Sequence, residues 1–210
     1  MRRRPNSNPS GRPTHFIGIR VHAPTALAEI RADIRKRSPG ISGYMEEGCR
    51  AHVTLGVLRL DTDESVQRCV ASFQRAASKL REGTVCPDGV FRLSFDGIGM
   101  FGSRVLFLKP SEASILQLRE MRSCLFDEHV SEFDTDTRQE FNPHLTIAKQ
   151  TRWVSKGRET DPSVATRMPE EPSVFDDMRV EVEACVRTVE LVKMRGDKEY
   201  DGVRRLNNTK

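Results

Sequence analysis

The chain has 210 residues, of which 37% are apolar, with a formal net charge of +4 and five scattered cysteines. This composition allows one sizeable core or two small lobes, and no apolar run reaches the roughly 18 residues that a membrane-spanning helix needs. The cysteines form no Cys-x-x-Cys pair, so neither a zinc cluster nor a disulfide framework is indicated, and no secretory signal is recognisable. We therefore expect a protein of the cytoplasm or nucleus.

The surplus of positive charge lies in residues 1–13, which contain four arginines and no acidic residue. Prolines, serines and asparagines make up most of the remainder, so this segment cannot bury apolar area and is expected to be a disordered basic tail. A nuclear address or a loose RNA contact are the alternatives to a plain solvated tail. Residues 205–210 are expected to form a short C-terminal tail.

From residue 14 onward, strands and helices alternate. The apolar run 14–21 predicts a buried strand, and a helix capped by Thr25 follows it and closes at the Ser-Pro-Gly cluster 38–40. The next strand covers residues 51 to about 60. Apolar residues at helical spacing then predict a helix over 63–83, which completes a first half.

The second half repeats the theme in altered order. The pattern predicts a strand over 91–98, a turn at 101–104 and a strand over 105–109, followed by a helix capped by Ser111. A polar loop then leads into another strand, and a final strand is predicted over 185–194. The two halves indicate one domain.

Residues 151–178 are rich in proline and charge and too long for a simple connection. We interpret this segment as an insertion that is partly mobile and that could form a flap over the site. Within it, Arg152 and Trp153 could contact a phosphate or stack on a base, with an ordinary rim position as the alternative. The domain as a whole is expected to span residues 14–204.

Two motifs place a histidine and a threonine two residues apart inside an apolar strand. Because side chains alternate along a strand, His52 and Thr54 project from one face, and so do His144 and Thr146. The alternate positions are apolar and are predicted to face a core: Val53, Leu55, Leu145 and Ile147. A single such motif is common and usually has no function, but a pair separated by one half of the chain indicates a shared site.

Two imidazoles at one groove can perform acid–base cleavage of a phosphodiester. One neutral imidazole takes a proton from the attacking hydroxyl or water, while the other, as imidazolium, gives a proton to the departing oxygen. The threonine hydroxyls can donate hydrogen bonds to the non-bridging phosphate oxygens. This chemistry requires no metal ion.

At these residues the chain resembles the two-histidine phosphoesterases, which are marked by a pair of His-x-Thr motifs, each followed by an apolar residue. Within that superfamily it is most similar to the phosphoesterase domain of A-kinase anchoring protein 7, also called its nuclear-localisation-signal domain. The matching stretches are His52–Leu55, Leu93–Gly102, Phe141–Thr146 with Lys149, and more weakly Glu190–Met194.

The resemblance implies an α+β fold of two lobes, with antiparallel sheets lining a central cleft and helices on the outside. It implies metal-independent cleavage of 2′,5′-linked oligonucleotides or 2′,3′-cyclic phosphates, with His52 and His144 as acid and base and Thr54 and Thr146 as phosphate ligands. No cofactor and no metal are expected, and a nucleotide or short RNA is the expected substrate. The sequence ends at Lys210 without a segment resembling the helix that anchors protein kinase A, so anchoring is not expected, and a monomer is.

Two other functions stay open at this point. The cleft could serve an AMP-type nucleotide sensor or adaptor that turns over little, or it could be a relic in an interaction protein that uses the basic tail and the 151–178 insertion. His15, at the start of the first strand, is expected to lie outside the cleft.

Overall fold

A computed structural model describes most of the chain. The described residues are 13–46, 51–82, 91–126, 140–150, 168–186, 188–195, 199–200 and 204–205. Most of the basic tail and of the 151–178 segment, including Arg152 and Trp153, therefore lies outside the described residues, as do residues 206–210. The part of that segment that is described, from Met168 onward, packs on the core through Met168 and Phe175.

The chain forms three helices and nine strands within these residues. The strands are His15–Arg20 (β1), His52–Leu58 (β2), Phe91–Phe101 (β3), Val105–Pro110 (β4), Leu145–Lys149 (β5), Val182–Val186 (β6), Val189–Arg195 (β7), Glu199–Tyr200 (β8) and Arg204–Arg205 (β9). The helices are Pro24–Arg37 (α1), Asp63–Glu82 (α2) and Glu112–Phe126 (α3), and 3₁₀ turns cover Pro39–Tyr44 and Pro172–Phe175. Among the described residues, none of the helices combines the length and the apolar character that a membrane-spanning helix requires.

All strands belong to one antiparallel arrangement with the order β6-β3-β4-β5-β2-β1-β7-β8, and β9 also pairs with β7. We call β2, β1 and β7 the first lobe, and β5, β4, β3 and β6 the second lobe. The lobes meet where β2 and β5 pair through Val53 and Leu145. This arrangement confirms the two-lobed α+β fold that the resemblance implied.

The sheet bends back on itself. Strands β6 and β7 lie at opposite ends of the seven-strand run, yet Val186 and Val189 are three positions apart in sequence and so at most about 10 Å apart. The three helices bury their apolar stripes against one face of this curved sheet, in one continuous core. The helices cover the face that bears Val53 and Leu145, which we call the convex face. The opposite face bears His52 and His144; we call it the concave face, and it forms the cleft.

Two predictions about local structure are wrong. Helix α1 begins at Pro24, and Ala23 precedes it without a side-chain cap, so Thr25 does not cap the helix. Proline suits this first position because its missing N–H would be unsatisfied there anyway. The strand predicted over 185–194 is two strands, β6 and β7, which belong to different lobes, so the apolar run conceals the crossing of the chain.

The other elements agree with the predictions within a few residues. Ser111 caps α3, as predicted, because its hydroxyl accepts a hydrogen bond from the backbone N–H of Ser114 at 3.3 Å. The stripe of α3 is buried through Leu118, Met121 and Leu125. Helix α3 packs against helix α2 and contacts strands β2, β3 and β4.

Candidate active site

The two His-x-Thr motifs lie side by side at the junction of the lobes. Because Val53 is opposite Leu145 in an antiparallel pair, Thr54 lies beside His144 and His52 beside Thr146. All four side chains are half-buried on the concave face. Diagonal neighbours in such a pair lie roughly 7–8 Å apart, which leaves room for one phosphate group between the two imidazoles.

The apolar positions of the motifs lie in the core, as predicted. Val53, Leu145 and Ile147 are fully buried, and Leu55 is 1% exposed. They anchor the strands that carry the site, so the polar side chains stand on a rigid support.

Each motif is followed by a β-bulge that alternation of side chains does not reveal. In the first lobe the register of β1 and β2 skips Leu55, the residue after Thr54. In the second lobe the register of β4 and β5 skips Ile147, the residue after Thr146. An extra residue at the same place in both lobes reverses the facing of everything that follows it in each strand.

The bulge in β5 turns Lys149 toward the cleft. Simple alternation from His144 would place Lys149 on the helix side, whereas its pairing with Val105, after the skipped residue, puts it on the concave face. Its positive charge acts on His144, whose pKa it helps to lower. The lysine therefore makes the second-lobe half of the cleft attractive to a phosphate.

The surroundings of His144 fix its tautomer and its charge. Its Nδ1 lies 2.9 Å from the backbone oxygen of Asn142, and because a carbonyl can only accept, Nδ1 carries the hydrogen. In the neutral ring the lone pair is then on Nε2. Burial lowers the pKa of His144, the hydrogen bond to Asn142 raises it, and the charge of Lys149 lowers it again, with a net shift downward. His144 is thus a neutral imidazole near pH 7.

His52 is held by an aromatic ring. The Phe16 ring stacks on His52 with 4.8 Å between the centroids and 25° between the planes. Phe16 lies across Gly18 of the same strand, where an added Cβ would be 2.9 Å from the ring. Glycine at position 18 therefore allows the ring to lie flat on the sheet and support the imidazole.

A second phenylalanine and glycine lie beside His144. The Phe107 ring is 5.3 Å from the His144 ring, and it lies over Gly99 of the neighbouring strand, where an added Cβ would be 2.6 Å from the ring. Phe101 meets the His144 ring edge-on at 4.8 Å and 88°. Aromatic rings on the concave face of the sheet therefore orient both histidines.

A buried ion pair adjoins His52. Arg20, the cross-strand partner of His52, donates from Nη2 to Oε2 of Glu190 at 2.8 Å and from Nε to the same oxygen at 3.1 Å. The Glu190 side chain is 4% exposed and that of Arg20 is 34% exposed, so the carboxylate holds a guanidinium that still reaches the cleft. A basic group therefore lies near each histidine, Arg20 in the first lobe and Lys149 in the second.

A cavity of about 520 Å³ opens beside the motifs, in the size range of small-molecule sites. Thr54 of the first motif and His144 of the second both line it. The remaining lining comes from β2, the end of β3, α3 and the segment before β5: Leu55, Gly56, Val57, Phe101, Arg122, Glu140, Phe141 and Asn142.

His15 lies outside the cleft, as expected. Since Phe16 faces the cleft, His15 faces the helix side, and it is 5% exposed. Burial and the charge of Lys193 lower its pKa to about 4, so it is a neutral packing residue.

Sequence reasoning assigned no role at the site to several residues around the histidines: Phe16, Gly18, Arg20, Phe107 and Arg122, and also Gly99, Phe101 and Glu190, which lie in the stretches that match the family. They act on the motifs from neighbouring strands or from α3, and long-range pairing is not readable from one sequence. One signal was available, since glycines at 18 and 99 interrupt strands rich in apolar residues, and a glycine in a strand often marks a close approach.

The sequence matches one family model over nearly its whole length. Residues 13–203 match the AKAP7 2′5′ RNA ligase-like domain. This range includes both motifs, both bulges and the residues that surround the two histidines.

Solved structures show the same fold. E. coli LigT complexed with 3′-AMP is 18% identical, with a TM-score of 0.58, covering 92% of this chain and 96% of LigT. The protein TT0787 of Thermus thermophilus is 18% identical, with a TM-score of 0.55, covering 92% and 97%. The PDE domain of MHV ns2 is 15% identical, with a TM-score of 0.51, covering 88% and 100%. Identity this low supports likeness of fold alone.

Proposed function

Because the chain belongs to the AKAP7 2′5′ RNA ligase-like family, among the two-histidine phosphoesterases, we propose that it is a metal-independent phosphodiesterase acting on RNA-type phosphodiesters. The candidate substrates are 2′,5′-linked oligonucleotides and 2′,3′-cyclic phosphates. One observation carries the proposal. The pairing of Val53 with Leu145 brings both His-x-Thr motifs onto one concave face.

The different surroundings of the histidines support different roles. His144 is neutral, with its Nε2 lone pair available, so in hydrolysis of a cyclic phosphate it takes the proton from the attacking water. The water oxygen forms the new bond to phosphorus, and the bond from phosphorus to one ribose oxygen breaks. His52, on the diagonal position, gives a proton to that departing oxygen.

The hydroxyls and cations of the cleft complete the proposed mechanism. Thr54 and Thr146 donate hydrogen bonds to the non-bridging oxygens, where negative charge reorganises in the transition state. Arg20 and Lys149 supply positive potential on either side. E. coli LigT, which has the same fold, is complexed with 3′-AMP, which supports a nucleotide as the ligand of this cleft.

The test is a substrate panel under chelation. Purified protein is incubated with 2′,5′- and 3′,5′-linked oligoadenylates and with 2′,3′-cyclic nucleotides in the presence of EDTA, and products are separated by chromatography. We expect cleavage that survives the chelator and follows a bell-shaped pH profile. Tight mononucleotide binding without turnover would contradict the proposed activity and would favour a nucleotide sensor.

A further inference from the structure

A lysine of the second lobe lies beside the second motif and has no role in the mechanism described above. Lys109 lies on β4, two positions after Phe107 in one uninterrupted register with β3, so both side chains project from the concave face. Leu108, the residue before it, pairs with Leu145, so Lys109 lies beside His144. Because Lys109 is exposed, the second lobe presents an accessible cation on the concave face.

The stem of Lys109 extends over β3, away from the strand of His144. An added Cβ on Gly99 would be 2.9 Å from Cε of Lys109 and 2.6 Å from the Phe107 ring, so the stem and the ring share the space above this glycine. Strand β4 separates β3 from β5, so two strand spacings, roughly 10 Å, lie between this end of the stem and the strand of His144. The cation therefore lies one step beyond the scissile phosphate, and not at it.

The positive charge of Lys109 is not balanced within the described part of the chain. No group there forms an ion pair or a hydrogen bond with its ammonium group. Asp96, the extra residue in the bulge of β3, is next to Gly97, the register partner of Lys109, and it makes no ion pair with the lysine either. The charge is therefore available to a ligand.

The first lobe differs at the corresponding position. Arg20 is the register partner of His52, and the next strand, β7, supplies the buried carboxylate of Glu190, which binds the guanidinium. In the second lobe the strand next to Lys109 is β3, and the register positions beside Lys109 and Phe107 are glycines. Positive charge without a matching carboxylate therefore lies on the second-lobe side of the histidines, where it attracts an anionic part of a substrate.

We propose that Lys109 binds a second phosphate of the substrate, next to the scissile one on the second-lobe side, and so favours oligonucleotides over mononucleotides. Every phosphate of a nucleic-acid strand carries a negative charge, so a strand with one phosphate between the histidines places a neighbouring charge along the cleft. A lysine ammonium on a flexible stem binds a phosphate as a point charge. This inference rests on the proposed function, since it assumes that the motifs hold the scissile phosphate.

The binding test compares ligands with one and with two phosphates. Affinities of 5′-AMP, 3′-AMP and adenosine 3′,5′-bisphosphate are measured by calorimetry, and either phosphate of the bisphosphate can occupy the position between the histidines. We expect the bisphosphate to bind about tenfold more tightly than the better monophosphate, because one charge-assisted contact is added. Equal affinities, or binding of none of these ligands, would overturn the inference.

Variants of the lysine locate the second phosphate. Lys109→Met keeps an unbranched stem over Gly99 and removes the charge, so the bisphosphate should lose its advantage while the affinity of the monophosphates stays unchanged. Lys109→Arg keeps the charge and should retain the advantage. Lys193→Met is the matched control, because Lys193 is exposed and lies on the opposite face of the sheet, beside His15. An advantage that persists in Lys109→Met would contradict the assignment.

Cleavage shows which end of the substrate reaches Lys109. Rates in EDTA are compared for a 2′,5′-linked diadenylate and for the same dinucleotide with one phosphate added to its first or to its last ribose. We expect one of the two additions to lower KM about tenfold with little change in kcat, and Lys109→Met to abolish that gain. If neither addition lowers KM, Lys109 does not bind a second phosphate.

The outcome is separable from that of the proposed function. A protein that prefers the bisphosphate through Lys109 but cleaves no phosphodiester would have the second-phosphate site without the proposed activity. A protein that cleaves cyclic phosphates in EDTA but binds the monophosphates and the bisphosphate equally would have the proposed activity without that site.

Discussion

The two lobes build the same motif into different surroundings. Each has a His-x-Thr strand with a bulge directly after the threonine, and each lays a phenylalanine over a glycine beside the histidine. In the first lobe His52 lies flat on Phe16 beside an arginine that a buried carboxylate holds. In the second lobe His144 is hydrogen-bonded through Nδ1 and lies near the charge of Lys149. The comparison indicates that the positions of the motif residues are duplicated, whereas the groups that contact each histidine differ.

If both lobes take part in the reaction, each of the two histidines must be required for catalysis. His52→Ala and His144→Ala are each expected to lower kcat/KM by about 10²- to 10⁴-fold, because each removes one proton transfer. Steady-state cleavage of a 2′,3′-cyclic nucleotide measures both. His22→Ala, an exposed histidine outside both motifs, should retain full activity. A large loss in one variant alone would leave a single-histidine site.

The threonines test whether the lobes share the phosphate. Thr54→Val and Thr146→Val each remove one hydrogen bond to a charged oxygen, so a loss of roughly 10- to 100-fold in kcat is expected from either. Thr54→Ser and Thr146→Ser keep a hydroxyl and should retain most of the rate. If only one of the two valine variants is impaired, one lobe alone binds the phosphate.

The glycines test the aromatic supports. Gly18→Ala and Gly99→Ala force the rings of Phe16 and Phe107 aside, so each should reduce kcat on the order of tenfold by loosening its histidine. Gly97→Ala is the matched control on β3, because its Cβ would meet the Lys109 side chain at an ordinary 3.5 Å. Circular dichroism should show folded protein in all three. Normal rates in both Gly18→Ala and Gly99→Ala would show that the rings of Phe16 and Phe107 contribute to packing and do not orient the histidines.

The positive charge of Lys149 acts on His144 in the second lobe. Removing its positive charge in Lys149→Gln should raise the pKa of His144, since that charge lowers it. A base must be neutral to act, so the acidic limb of the kcat/KM profile is expected to move to higher pH. NMR titration of His144 gives the same quantity directly.

Lys193→Gln is the control for that shift. Lys193 lowers the pKa of His15, which lies on the other side of the sheet, so its removal should raise the pKa of His15 and leave the limb assigned to His144 in place. An acidic limb that moves equally in both variants would show a change of overall charge and not a local effect of Lys149.

Much of the fold was predictable because strands and helices follow local patterns of apolar and polar residues. The motifs themselves predicted which side chains face the cleft, since His52, Thr54, His144 and Thr146 obey the alternation of a strand. Of the two predicted helix caps, Ser111 was correct and Thr25 was not. The crossing between β6 and β7 was not predictable, because only Arg187 and Thr188 separate the apolar residues of the two strands, and a single strand can contain two such residues.

What the sequence concealed at the site depends on partners far along the chain. The bulge at Leu55 cannot be recognised in the sequence, because Val57 and Leu58 are apolar although they face opposite sides of the sheet. The bulge at Ile147 is equally unrecognisable, because it shows only in the pairing of β5 with β4. Arg122 donates to the backbone oxygen of Leu55, 67 positions earlier in the chain, a contact that only the packing of α3 creates.

The double variant is the most direct test of the claim that both histidines serve one phosphorus centre. Rates of the wild type, His52→Ala, His144→Ala and the variant with both changes form a cycle measured on one 2′,3′-cyclic nucleotide in EDTA. Residues that act in one step are strongly non-additive, so we predict that the double variant is about as slow as the slower single variant. Losses that multiply would contradict the account, because they would mean that the two imidazoles act independently.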